Sequence, residues 1–257
     1  MEPQRLQAGR GWEWIKQGYK LFMKAPLLWI VLLVICFATA IAISAIPFIG
    51  EPLVTLLMPV IVVGFMAGCR ALHNGEELEL THLMSGFQKH LTPLITLGGI
   101  ALVGQFLILG VMMLVGGGAL VTILMSSGDI ADPAIFTSAL AGAGLAVLVG
   151  LVLFSVLLMA TQFAPMLVYF NNAPPIAALK LSLRCFTSNI GPMLVYGITF
   201  FMLAILASLP MFLGWFVLLP VIFTSLYAAY IDMFPPIKDA SAVATPSDIF
   251  SRDESHF

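Results

Sequence analysis

Charge is what this chain has least of. Only 9% of its 257 residues are Asp, Glu, Lys or Arg, and 60% are hydrophobic. An ordinary soluble domain carries about 25% charged residues. The mean hydropathy is +1.05. This excludes a water-soluble fold, and it excludes disorder, which needs low hydrophobicity and high net charge. Basic residues are too few for a nucleic-acid face: 11 stand against 13 acidic ones, for a net charge of −2. Cysteine is scarce as well. Cys36, Cys69 and Cys185 have neither metal-site nor disulfide spacing, and they read as small buried apolar residues. A nucleophile motif, a phosphate loop and a paired-acid constellation are all lacking. Gly116-Gly117-Gly118 has no lysine after it. The chain is therefore expected to be no enzyme, and to need no cofactor and no metal.

What the chain does have is long uncharged runs. Residues 27–50, 52–69, 91–128, 133–179 and 185–231 contain no Asp, Glu, Lys or Arg. A membrane helix needs about 20 such residues. The first two runs hold one span each. The third holds one span followed by the glycine run, and the fourth ends in one long span at about 142–170. Pro210 and Gly214 divide the last into spans near 190–209 and 214–232, because proline lacks the amide donor and clashes one turn back. Six spans result. Ile46-Pro47-Phe48-Ile49-Gly50-Glu51-Pro52 is a hairpin turn of the same kind. The one sizeable outer segment is placed at about 116–138, with Ser126, Ser127, Gly128, Asp129, Asp132 and Pro133 as its loop residues.

The basic residues all fall on one side of these spans. Arg5, Arg10, Lys16, Lys20 and Lys24 precede span one, and Arg70 and Lys89 follow span two. Lys180 and Arg184 follow span four, and Lys238 and Arg252 follow span six. The opposite loops hold Glu51, Asp129 and Asp132 instead. The positive-inside rule then predicts cytoplasmic N- and C-termini. The N-terminal apolar run is too long, and starts too late, for a cleavable signal peptide.

A threefold repeat is also legible. Leu57-Met58-Pro59-Val60-Ile61 resembles Leu219-Pro220-Val221-Ile222, with Gly64 and Gly68 matched by Ser225 and Ala229. Leu157-Leu158-Met159-Ala160 mimics the same pattern, and puts Pro165 at the place of Gly64. Before each odd-numbered span comes an amphipathic segment. Trp12, Ile15, Tyr19 and Phe22 line the first, with Lys16, Lys20 and Lys24 four apart. Leu80, Leu83, Met84 and Phe87 line the second. Ile176, Leu179, Leu183 and Phe186 line the third, with Lys180 and Arg184. The pattern predicts three tandem hairpins, at about 12–72, 78–172 and 174–234, related by an axis along the membrane normal. Inverted repeats would behave differently. Each amphipathic helix is expected at the headgroup boundary, with lysines toward anionic lipid. Trp12, Trp14 and Trp29 belong to the aromatic belt. Such helices serve either as topological anchors or as a docking surface for lipid or partner at Trp12, Lys16, Lys20, Lys24, Lys180 and Arg184.

Other residues carry two readings each. The spans hold no ionisable group at mid-depth, which disfavours a charged relay. Gln105 and Gln162 are the most polar residues inside spans, serving either as interhelical glue or as substrate contacts. Gly64-Phe65-Met66-Ala67-Gly68 matches the small-xxx-small pattern, for internal packing or for a homo-oligomer. Pro59, Pro165 and Pro220 free carbonyls one turn back, either as packing features or as kinks around a central cavity. In the loop from His73 to His82, Glu76, Glu77 and Glu79 are a partner contact or a solvated cluster. Glu79 and His82 have the spacing of a di-iron ligand pair, but the second copy that such sites need is missing. Asn74-Gly75 signals a turn, and the acids after it suit a helix N-terminus.

Several stretches carry a family likeness. They are Gly11-Trp12-Glu13-Trp14-Ile15 with Gly18 and Leu21-Phe22, and Gly68-Cys69-Arg70-Ala71-Leu72 followed by Gly75-Glu76-Glu77-Leu78-Glu79-Leu80. Ala178-Leu179-Lys180-Leu181-Ser182 and Tyr227-Ala228-Ala229-Tyr230-Ile231-Asp232-Met233-Phe234 complete it. Across residues 9–234 the chain resembles a proteobacterial family of hypothetical six-span inner-membrane proteins. The likeness implies a bacterial inner membrane and carries over no functional residue. The expected architecture is an all-α polytopic bundle over 1–234, with a polar, disordered tail at 235–257. Its partners are membrane lipids and another membrane complex. The leading function is a non-catalytic accessory or assembly factor. The alternative is a transporter, channel or flippase for a small or lipidic substrate.

Overall fold

A computed structural model describes residues 3–125 and 133–235. The expectations for Asp129, Asp132, Lys238, Arg252 and the rest of the tail fall outside these residues. The described residues form helices joined by short turns, without a strand. The order is α1 (Arg10–Phe22), α2 (Pro26–Ser44), α3 (Gly50–His73), a 3-10 turn (Leu80–Met84) running into α4 (Ser85–Gln88), then α5 (Leu91–Met125). There follow α6 (Pro133–Thr161), α7 (Ala164–Asn171), α8 (Pro175–Ser188), α9 (Ile190–Ser208) and α10 (Trp215–Met233).

Six segments have the length and apolarity to cross a membrane: Pro26–Ser44, Gly50–His73, Leu91–Gly118, Leu140–Asn171, Ile190–Ser208 and Trp215–Met233. A helix of 19 residues is about 28 Å long at 1.5 Å per residue, close to the hydrocarbon thickness. Bulky side chains such as Ile41, Leu114, Leu151 and Phe201 face outward along these helices. In lipid that is no penalty, because the surroundings are as apolar as the side chain.

The glycine run departs from expectation. Residues 116–125 stay helical and α6 begins at Pro133, so the outer segment expected at 116–138 is much shorter. The reason is the pairing of α5 with α6. Gly104 faces Leu157, Gly116 faces Ala146, and Gly150 faces Met112. An unpaired backbone group in hydrocarbon costs several kcal/mol. That outweighs the roughly 1 kcal/mol per residue by which glycine disfavours a helix.

The three prolines act differently. Pro59 and Pro220 sit inside continuous helices. Pro165 does not, and the span expected at 142–170 breaks between Thr161 and Ala164. Ser182 of α8 repairs the break. Its hydroxyl donates to the Met159 carbonyl at 2.7 Å and accepts the Phe163 N–H at 3.2 Å.

The bundle is filled at the end that the short helices cross. Val60, Val63 and Met66 of α3 are fully buried with Phe163, Met166 and Leu167 beside them. Phe65 stacks on Phe223 of α10 at 4.3 Å between centroids, and Trp29 of α2 stacks on Phe65 from the other side at 6.1 Å.

The short helices lie across this bundle. α1 crosses the last hairpin: Gly11 rests on Pro192 and Tyr196 of α9, and Gly18 on Ser225 of α10. Seven residues of helix measure about 10.5 Å, and packed helices stand 8–10 Å apart, so one glycine falls over each helix. The 3-10 turn and α4 run along α3, with Leu83 against Gly64 and Gly86 against Val60. The second amphipathic segment is thus shorter than expected, because Lys89 is extended and His90 turns the chain at φ 63° into α5. α8 packs on α6 and α7.

The faces of these helices also differ from a simple apolar stripe. Ile15 and Phe22 are buried, but Trp12 and Tyr19 are about half exposed. Leu80, Met84, Phe87 and Ile176 face outward too. The sides turned to protein carry small residues: Gly11, Gly18, Gly86, Ala178 and Ser182 are buried. Backbone approach, which only small side chains allow, decides which side meets the bundle.

Candidate functional site

α1 is fixed to the end of α10 by a small polar cluster. Arg10 donates to both oxygens of Asp232, at 2.8 and 2.6 Å, and the Trp14 indole N–H donates to the same carboxylate at 2.8 Å. Trp14 is fully buried. The hydrogen bonds and charge of Asp232 raise the Arg10 pKa above its ordinary value. The chain before α1 is held as well. Asn189, buried between α8 and α9, accepts the Leu6 N–H at 2.9 Å and donates to the Gln4 carbonyl at 2.9 Å.

Beside this cluster two cavities adjoin, of about 420 and 300 Å³, sharing His73, Tyr227 and Ile231. Gln17, Lys20, Lys24 and Asp232 line the first. Arg70, Asn74, Phe170, Asn171 and Tyr230 line the second. The Tyr230 hydroxyl donates to the Asn171 side-chain oxygen. The Arg70 guanidinium stands 5.1 Å over the Phe170 ring, a favourable cation–π geometry. Lys24 donates to the Leu72 carbonyl at 2.7 Å. Among the described residues the basin's one acid, Asp232, is already paired with Arg10, and no ion pair neutralises Lys20, Lys24 or Arg70. The basin therefore carries surplus positive charge.

On the other flank of α1 lies an apolar groove of about 560 Å³. Trp12, Ile15 and Tyr19 form its roof, Leu203 and Leu206 one wall, and Val217, Leu218 and Val221 the other. Lys16 and Lys20 stand at its edge. The groove exists because α9 and α10 touch closely at their turn, with Gly214 against Ala207, and are then spread by α1. A smaller groove of about 130 Å³ lies between α2 and α3, with Leu83, Met84 and Phe87 at one end.

The residues singled out from the sequence are placed as follows. Trp12, Lys16 and Lys20 meet at the groove under α1, and Lys24 lies on the basin side. Lys16 is ion-paired with Glu13 at 2.6 Å. Lys180 and Arg184 are exposed on α8, away from both cavities. Gln105 is exposed on α5, and Gln162 sits in the break before α7. Since Gly104 faces Leu157, the two glutamines stand about 9 Å apart along the hairpin. Gly64 and Gly68 are buried inside the chain, against Leu83 and against Leu78 with Trp29. Glu76 and Glu77 are exposed. Glu79 and His82 form a reciprocal helix cap, with the Glu79 N–H donating to His82 Nδ1 at 2.9 Å. Their three-residue spacing is the spacing of a capping box, and no cluster of three metal-type ligands occurs among the described residues.

Sequence reasoning did not pair Arg10 and Trp14 with Asp232, and gave no contact to Gly18, Ser182 or Asn189. The paired glycines of α1, seven apart, were the readable signal. The Asp232 and Asn189 contacts join residues 180 or more positions apart, and no local pattern announces them.

The chain is 33% identical over 205 residues to a protein of Burkholderia thailandensis named "Probable inner membrane protein", with 78% of this chain and 75% of the relative covered. No family model matches it, and no solved structure matches it.

Proposed function

From the premise that the chain belongs to the family of the Burkholderia thailandensis inner-membrane protein, we propose a non-catalytic accessory or assembly factor of the bacterial inner membrane. It works by associating with lipids or with another membrane complex. One observation carries this reading. Fully buried side chains fill the bundle at the end that the short helices cross, while the open apolar space lies sideways, under those helices.

The threefold repeat belongs to the same reading, and the contacts support it. The first hairpin is crossed by the 3-10 turn and α4, the second by α8, and the third by α1. Each hairpin thus receives the short helix of the next repeat, and the third receives that of the first, which closes a ring. Gly64 and Ser225, matched in sequence, are both the place where the crossing segment touches. At the tips of the first and third hairpins, Phe48 and Met211 follow Pro47 and Pro210 with positive φ.

The orientation proposed is cytoplasmic termini, from the charge bias. Single-cysteine labelling tests it. A membrane-impermeant maleimide added outside spheroplasts is expected to modify Asp129→Cys and not Glu77→Cys; the opposite result reverses the topology. The native thiols leave the background dark. Cys69 and Cys185 are buried, Cys36 faces the apolar groove between α2 and α3, and burial pushes the Cys185 thiol up to about 12.

The transporter reading rests on the break at Gln162 and on the two proline-containing helices. Two experiments separate the readings. The protein is extracted into polymer-bounded native discs and its companions are identified by mass spectrometry. A stoichiometric membrane complex or a reproducible lipid set supports the accessory role. Flux in proteoliposomes that disappears in Gln105→Leu and Gln162→Leu, with folding intact, would overturn it.

A further inference from the structure

Lys20 stands between two unlike spaces. It lines the basic basin on one flank of α1 and the apolar groove on the other. A ligand that touches both must have an anionic head and an apolar tail. We infer that the groove and basin form one site for an anionic phospholipid, with an acyl chain between α9 and α10 and the headgroup beside Lys20. The inference rests on the lipid-associated reading above and names the site and the lipid class.

Several features fit this occupant. The groove's volume of about 560 Å³ lies within the roughly 300–1,000 Å³ usual for small-molecule sites. It opens sideways, since Leu206 and Val217 are 61% and 41% exposed. Trp12 and Tyr19, half exposed on the roof, are the residue types that favour the headgroup level. The titratable groups facing the head are Lys20, Lys24 and His73, together with Asp232, which is held by Arg10. Lys16 adds a cation at the groove's edge but shares it with Glu13. The charge offered to a phosphate is therefore positive on the basin side, and Lys20 is the one lysine that lines both spaces.

The test uses the full chain, purified in mild detergent and exposed to equal amounts of phosphatidylglycerol and phosphatidylcholine, with retained lipid read by native mass spectrometry. The wild type is expected to keep phosphatidylglycerol in preference. Lys20→Gln should weaken that preference roughly five-fold, the worth of one lysine near an anionic surface. Lys89→Gln, at the end of α4 and lining neither space, should leave it unchanged. Val217→Trp should fill the groove and lower retention of both lipids, with thermal melting checked in parallel. Equal retention of the two lipids overturns the inference, as does a Lys20→Gln chain indistinguishable from Lys89→Gln. So does inorganic phosphate binding that depends on Lys20 without lipid retention, or a dimer mass that excludes lipid. Lipid kept without dependence on Lys20 removes only this site. No retained lipid of any kind removes the lipid-associated reading as well.

Discussion

A Gly18→Leu chain will release α1 from the bundle. A Cβ at position 18 would lie 2.5 Å from the Ser225 amide nitrogen and 2.6 Å from its Cα. Both are backbone atoms of a helix, so neither can swing aside as a side-chain tip would. Leucine adds further carbons at the same point. Overpacking a well-packed site costs typically 1–3 kcal/mol and occasionally more, and this site belongs at the upper end, at about 3 kcal/mol. Gly18→Ala meets the same backbone with one carbon and should lose less. The comparison is Gly110→Ala, where a Cβ meets nothing within 4 Å; there alanine should be neutral or gain up to about 1 kcal/mol from helix propensity. Thermal unfolding in detergent orders the three variants. Limited proteolysis at Lys16 and Lys20 then reports whether α1 has come free. If Gly18→Leu melts with the parent, α1 does not lie across α9 and α10 as described.

Asp232→Ala is expected to cost about 3 kcal/mol, more than loss of either of its partners. The substitution removes two charge-assisted hydrogen bonds to Arg10 and leaves the buried Trp14 N–H without an acceptor. A buried donor left unmade costs about 1–3 kcal/mol, and a hydrogen bond to a charged group contributes about 1.5–3 kcal/mol. The Arg10 side chain is 38% exposed, so solvent screens its share, and Arg10→Ala alone should lose only about 1 kcal/mol. Trp14→Phe deletes the donor and leaves part of the buried indole's space empty, so its loss should lie between those of Arg10→Ala and Asp232→Ala. A thermal-denaturation cycle over Arg10→Ala, Asp232→Ala and the double variant measures the coupling directly. Additive losses would mean that the pair does not hold α1.

These two variants probe the part of the molecule that was least readable beforehand. The run from Pro26 to Ser44 announces a span because about 20 apolar residues in succession have one stable place in a cell. The turn at Asn74-Gly75 was readable because Gly75 adopts φ 86°, a conformation that glycine tolerates without strain. Pro165 marked a disturbance in the fourth span, but not that Ser182 would satisfy Met159 and Phe163 across it. The amphipathic segments were visible by their large apolar residues. Their packing sides were not, since Gly18, Gly86 and Ser182 contribute almost nothing to hydropathy and matter only where another backbone comes close. The Glu79 and His82 pair was visible as a spacing, and its geometry made it a cap.

The site divides the same way. Trp12, Lys16, Lys20 and Lys24 could be listed from helical spacing, because one face of a helix collects positions three and four apart. That Lys20 would border a basic basin on one side and an apolar groove on the other depends on where α1 lies relative to α3, α9 and α10.

Sequence alone determined the class and the number of spans. Both follow from a solvent property: hydrocarbon admits long apolar helices with internally paired backbones. Tertiary structure alone decided which short helix crosses which hairpin, that Arg10 and Trp14 share Asp232, and that the bundle is filled at its crossed end while its flanks are open. Those outcomes depend on close approach between backbones and on hydrogen bonds between residues far apart in the chain, and hydropathy measures neither.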